Sequence, residues 1–216
     1  MKMLDRQTGL FQKIHDKTIY ELSKIINRSY ENKMRKKLKN DNFSIICSNC
    51  IGGVIYHRLG KQFLSPTINL WMNQKDFLKM ALDLRSYMSK ELVFIKGEYD
   101  YPIAILGDVK IYFNHSKTEE EARINWERRK TRINYDNLYI IMYDRNGLTN
   151  EDFDALEKIN CKNRIVLSTE ENDKYSFIKK LKSHPEKVNG PQCLDKDIFG
   201  IRTFEKQWDY VDWLNE

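Results

Sequence analysis

Apolar and polar positions along the chain alternate between two periods. Phe43-Ser-Ile-Ile-Cys47 is a short apolar run that breaks at Ser48-Asn49 and resumes with helical spacing through Ile51, Ile55 and Leu59. It predicts a strand, a tight loop and a helix closed by Gly60. Pro66 sets a turn before a short strand over Thr67 to Leu70, which puts Thr67 and Asn69 on one side. From Gln74 to Ser89, Phe77, Leu78, Ala81, Leu82, Leu84 and Met88 follow one helical face. Leu92 to Ile95 reads as a strand, and the β-rich runs 101–106 and 109–113 flank Gly107-Asp108, a hairpin dipeptide. Thr118 is placed to cap a helix whose acids fall in its first turn and whose bases fall near its last. Leu138 to Tyr143 is apolar throughout, as in a central strand covered on both faces. A helix over 150–159, a strand over 164–167 and a polar helix over 172–182 follow. Beyond Ser183, His184-Pro185 and Gly190-Pro191 mark irregular chain, and Phe204, Trp208, Tyr210 and Trp213 form an aromatic tail suited to clamping onto the core or a partner, or to stacking a sugar.

Strands alternating with helices at this spacing predict an α/β fold, Rossmann-like. Its sheet is mostly parallel with flanking helices, plus a β-hairpin and an irregular aromatic C-terminal segment. Residues 1–42 read as a separate basic helical lead, in which Leu10, Phe11, Ile14, Ile19, Leu22, Ile25 and Ile26 would be buried as one stripe. Residues 43–216 then form the α/β domain, as one unit or as two small subdomains.

Length sets the scale: 216 residues suffice for a core covering most of the surface that the unfolded chain exposes. The net charge of +6 suits anionic substrates, whereas bases and acids are too intermixed to mark a nucleic-acid surface. No apolar run reaches bilayer length and no signal-peptide core follows the first residues, so a cytoplasmic location is expected. The bases between Arg28 and Lys39 read as a solvated helix end or as a peripheral contact with anionic lipid at the inner face of the membrane. Four cysteines then read as free thiols.

The series Asn49-Cys50-Ile-Gly52-Gly53, Tyr56-His57 and Ser65-Pro66-Thr67-Ile68-Asn69 opens a set of motifs that continues in order to the C-terminus. Tyr101-Pro102-Ile103, Leu106-Gly107-Asp108, His115, Trp126-x-Arg128-Arg129, Asp144-Arg145 and Trp213-Leu214-Asn215 belong to it. From about residue 40 onward the chain resembles a bacterial family of exopolysaccharide biosynthesis proteins built on a domain of unknown function. The resemblance implies a pathway, surface or capsular polysaccharide assembly, and no reaction.

In open parallel sheets ligands sit beyond the strands' carboxyl ends, where this reading collects Asn49, Cys50, Asn114, His115, Asp144, Arg145 and Ser168. Free N–H groups at the first turn after Cys50, with Gly52 and Gly53, would receive a phosphate, and the helix dipole would lower the pKa of the Cys50 thiol. His115 is the better base for Cys50, because His57 lies about two helical turns away and suits a core face. Asn49, Thr67, Asn69 and Asp144 would hold a sugar. Asp108 is turn chemistry or a carboxylate of the site, and Arg129 and Arg145 are anion ligands or solvated charges. A thioredoxin-like Cys47-x-x-Cys50 lacks its internal proline, and zinc lacks a second ligand pair. Together with the resemblance, these residues predict a transferase of surface-polysaccharide assembly with catalytic His115, Asp144 and Cys50, needing no cofactor and acting on a nucleotide-linked or lipid-linked sugar or with an acyl donor, the transferred group being glycosyl, acyl or phosphoryl. The alternative is a non-catalytic module that binds a glycan precursor or another assembly protein.

Overall fold

The computed structural model describes residues 2–144, 147–182 and 192–216, with side chains from Asp16 onward. In chain order the described residues form α1 (Lys2–Lys37), β1 (Ser44–Cys47), α2 (Ile51–Leu59), α3 (Gln74–Leu82), α4 (Leu84–Ser89), β2 (Leu92–Ile95), β3 (Ile103–Leu106) and β4 (Val109–Tyr112). Then come α5 (Glu119–Lys130), β5 (Leu138–Tyr143), α6 (Asn150–Glu157), β6 (Asn163–Ser168), β7 (Ile178–Lys180), α7 (Thr203–Gln207) and α8 (Tyr210–Asn215). The fold is α/β, as the alternation of periods predicts. Four strands make a parallel sheet in the order β1-β5-β6-β7.

β5 is buried at every position, and its side chains enter two cores by turns. Leu138, Ile140 and Met142 pack with Ile46, the α3 and α4 faces, Trp126 of α5 and Phe153 of α6. Tyr139, Ile141 and Tyr143 pack on the other side with Ile45, Cys47, α2 and the aromatic tail. A strand read as uniformly apolar is thus a wall between two clusters. Phe204, Trp208, Tyr210 and Trp213 fill the second of these, so the tail clamps onto the core and presents no open stacking platform. Arg58 of α2 fastens this side: its guanidinium donates to Glu205 at 2.8 and 3.2 Å, to Asn27 at 2.5 Å and to the Gly200 carbonyl at 2.9 Å.

Several local expectations give way to tertiary pairing. The hairpin around Gly107-Asp108 forms, but with β2 it makes a separate three-stranded antiparallel sheet rather than an edge of the parallel one. Residues 66–69 are a turn and not a strand, because Asn69 adopts φ 62° and reverses the chain. The 74–89 helix breaks at Asp83 (φ −132°, ψ 53°), and its restart returns Leu84, Tyr87 and Met88 to the core. The helix expected over 172–182 is replaced by β7, since the outer edge of β6 needs partners: Val166 N–H donates to Phe177 O at 2.8 Å and Leu181 N–H to Ser168 O at 2.7 Å. The predicted turns at His184-Pro185 and Gly190-Pro191 lie outside the described residues.

α1 rises about 54 Å at 1.5 Å per residue. Leu22, Ile25 and Ile26 stay exposed on it, contrary to that part of the expected stripe, and the side chains of Leu10, Phe11 and Ile14 lie outside the described residues. The face that packs is Tyr30, Met34 and Leu38, because Asn27 and Glu31 on that face are drawn to Arg58. Among the described residues no helix is long and apolar enough to cross a membrane.

Candidate active site: a cysteine and a histidine at the joint of two sheets

The carboxyl end of β1 and that of β4 are stitched together by two residues. Trp71 and Tyr112 exchange N–H···O bonds of 3.0 Å in both directions, and Met72 N–H donates to Ser48 O at 3.3 Å. The rings of Trp71 and Tyr112 stack at 3.7 Å, 4° from parallel. β4 therefore ends beside the loop after β1. A tight turn, closed by Ser116 N–H to Phe113 O at 2.9 Å, then presents Asn114 and His115. Cys50 Sγ and His115 Nε2, 65 residues apart in sequence, lie 3.3 Å from each other. Asn114, the residue before His115, favours the charged form of the Cys50 sulfur.

This pair opens onto a cavity of about 570 Å³ whose walls include His57, Phe63, Asn69, Lys196 and Arg202. Among the described residues Lys196 and Arg202 make no ion pair, so they leave the cavity basic; Arg58, which also lines it, is already paired with Glu205 and Glu31. Burial pushes the Cys50 thiol above its usual range, against the opposing pull of Asn114 and Arg202. The expected lowering by the helix dipole does not prevail, and Cys50 is a neutral thiol until a base takes its proton.

The first turn of α2 is not an open phosphate cradle. Ile51 N–H is capped by Asn49 Oδ1 at 2.9 Å, the Cys47 thiol donates to the same oxygen at 3.4 Å, and the backbone of Asn49, Gly52 and Ile51 favours the charged form of that sulfur. Burial nevertheless pushes Cys47 up to about 12. Gly52 serves packing: a Cβ there would meet Cys47 and Ile68 at 3.1 Å and Ile45 at 3.2 Å. Gly53 faces the cavity, and a Cβ on it would collide with Asn69 Oδ1. Asn49 is buried, and its Nδ2 has no acceptor among the described residues. Thr67 Oγ1 accepts from Cys47 N–H at 3.0 Å in the interior, away from any ligand.

The carboxylates stand apart from the pair. Asp144 ends β5 and lines a different cavity of about 450 Å³ with Thr149, Asn150, Ser168 and Glu170. Gln74 donates to it at 2.8 Å, Gly147 N–H at 3.2 Å and Ser168 at 3.4 Å. Asp108, exposed in the hairpin turn, accepts from Tyr87 at 2.6 Å and Lys79 at 2.9 Å. Those two bonds hold it down at about 2. Arg129 of α5 donates to Ile68 O at 3.0 Å and lies over the Phe63 ring. Arg145 lies outside the described residues. The structure thus brings together Cys50, His115, Asn69 and Gly53, keeps Arg129 close by, and separates Asp144 and Asp108.

Residues 21–215 match the family described as Domain of unknown function (DUF1919). The chain belongs to that family. It is also similar to a Haemophilus influenzae protein described as uncharacterized, 30% identical over 205 residues that cover 95% of this chain and 98% of that one. Family membership is the coarser part of the resemblance seen in the motifs; the polysaccharide pathway goes beyond it.

Sequence reasoning placed Asn114 beside His115 but missed the roles of His57, Phe63, Lys196 and Arg202 in this site. His57, assigned to a core face, is exposed and borders the cavity. The spacing Cys50, Gly53, Val54, His57 is a helical i, i+3, i+4, i+7 stripe and was a usable signal. Lys196 and Arg202 had none, since they arrive from a segment placed by tertiary packing.

Proposed function

We propose that this protein is a transferase acting on a sugar precursor in surface-polysaccharide assembly, and that the transferred group is an acyl group carried on Cys50. The contact of Cys50 Sγ with His115 Nε2 at 3.3 Å, on the wall of a basic cavity, carries this reading. The motif resemblance supports the pathway.

The chemistry follows from the neutral thiol. His115 accepts the Sγ proton as sulfur attacks the carbonyl carbon of an acyl donor, and the Asn114 amide would donate to the developing oxyanion. The tetrahedral intermediate collapses as the bond from carbonyl carbon to donor breaks, and the leaving group takes the proton back from His115. In the second half a sugar hydroxyl gives its proton to His115, its oxygen bonds to the acyl carbon, and the carbon–sulfur bond breaks. The proton finally returns to Cys50. Lys196 and Arg202 suit a donor or precursor that carries phosphates, through charge-assisted hydrogen bonds.

Intact-mass measurement after incubation with acetyl coenzyme A tests the first half. The expected result is one acyl group on the peptide containing Cys50, absent in Cys50→Ser and strongly slowed in His115→Ala. No adduct with any acyl thioester, together with normal polymer output from cells carrying either variant, overturns the enzyme reading in favour of a precursor-binding or scaffolding module.

A further inference from the structure

On the far side of His115 a second, smaller cavity of about 160 Å³ opens between α5 and the 66–69 turn. Asn69 and His115 form walls of both cavities. The smaller one contains Arg129, and the chemistry of that guanidinium is unbalanced. Arg129 is half-buried, spends one N–H on Ile68 O at 3.0 Å, and has no carboxylate within ion-pair reach among the described residues. A guanidinium carries five N–H donors. Burial, and then the charges of Arg128 and Arg132, bias it against its own charge, and Glu121 opposes them. Glu121 is exposed at the cavity's rim, where one carboxylate oxygen already accepts Lys117 N–H at 2.8 Å. Trp126, almost wholly buried, forms another wall, and its indole N–H has no acceptor among the described residues.

Donors without acceptors in an enclosed space cost stability unless a ligand supplies the acceptors. We infer that this cavity is a subsite for an oxyanion, a carboxylate or a phosphate on a molecule about as large as one sugar ring, held by Arg129 beside His115. If the acyl-transfer reading holds, the occupant is the acceptor. An acidic sugar anchored on Arg129 would have its hydroxyls on the His115 side, opposite the donor in the larger cavity.

Binding is read without any transfer chemistry by following the indole N–H signals of the four tryptophans in ¹⁵N-labelled protein. The Trp126 signal is assigned by Trp126→Phe. Titration with glucuronate or inorganic phosphate is expected to move that signal saturably, and glucose at the same concentration to leave it in place. Movement by glucuronate identifies a sugar carboxylate as the source of the oxyanion, and movement by phosphate alone identifies a phosphorylated group. Arg129→Gln is expected to abolish the movement while the other three indole signals keep their positions. A Trp126 signal unmoved by both anions, or moved equally by glucose, overturns the inference. Cys50→Ser should bind as the parent does. In the parent protein, no acylation with anion binding intact counts against the transfer reading alone, and acylation without anion binding counts against this subsite alone.

Discussion

Arg58 on α2 meets Glu205 on α7 through two N–H···O bonds of 2.8 and 3.2 Å, and the Glu205 side chain is fully buried. The same guanidinium reaches Asn27 and Glu31 of α1, so a single side chain ties three helices together. Removing one member of a buried pair leaves the other charge stranded without water. Arg58→Ala is expected to destabilise the fold by about 3–5 kcal/mol. Arg58→Met with Glu205→Leu should recover much of that loss. Urea unfolding of the two variants checks both statements, and a single change costing under about 0.5 kcal/mol would contradict the role given to the pair.

Asn69 separates backbone strain from function. A left-handed conformation costs an ordinary residue about 1–2 kcal/mol, whereas asparagine and glycine tolerate it. Asn69→Ala should lower stability by about that amount. Asn69→Gly should leave it nearly unchanged and still impair ligand binding, because the amide lines both cavities. Thermal melts combined with the indole titration distinguish the two effects.

Gly53→Ala tests the close approach of α2 to that same amide. The added methyl group would occupy the place of Asn69 Oδ1, so the Asn69 side chain must move aside. The expected outcome is a displaced Asn69 and weakened acylation of Cys50 with α2 still helical, measured by intact mass and circular dichroism.

Asp108 gives a pH signature. Its carboxyl is held at about 2 by the Tyr87 hydroxyl and the Lys79 ammonium, below the ordinary aspartate range. A depressed carboxylate adds stability above its unfolded pKa and loses that addition as pH falls through the folded value. The Tm difference between the parent and Asp108→Asn should therefore be constant above about pH 5 and shrink toward pH 2. A difference that grows on acidification would reverse the sign argued here.

Thiol labelling ranks the cysteines. Cys50 and Cys161 are partly exposed, and Cys47 and Cys193 are buried. Iodoacetamide should modify the first two in the native protein and the second two only on unfolding. Burial raises both reactive thiols, so their rates should keep rising past the pH at which a free thiol has levelled off. Modification of Cys47 in the native state would contradict its enclosure.

Elements whose hydrophobic period is complete within themselves were legible in the sequence. Leu138–Tyr143, the Gly107-Asp108 hairpin, the Thr118 cap and the Gly60 stop are of this kind. Elements fixed by a distant partner were not. β7 looks polar and helical until the bare edge of β6 is known, and the apolar stripe of α1 loses to the polar pull of Arg58. The site divides in the same way. Placing Cys50 and His115 beyond strand ends followed from their motifs, and His115 was the preferred partner. The separation of Asp144 did not follow, because β1 and β5 share a sheet while the segment at Trp71 draws the Cys50 loop toward the other sheet.

The two-sided burial of β5 bears on how the molecule comes apart. Each packed cluster borrows alternate side chains from one strand, so pulling that strand loose strips a wall from both at once. A fault introduced at Ile140 meets the α3 to α6 side directly, and one at Ile141 meets α2 and the aromatic tail. Unfolding should accordingly pass in a single step, with the tryptophans of the tail and those near the antiparallel sheet reporting the same midpoint.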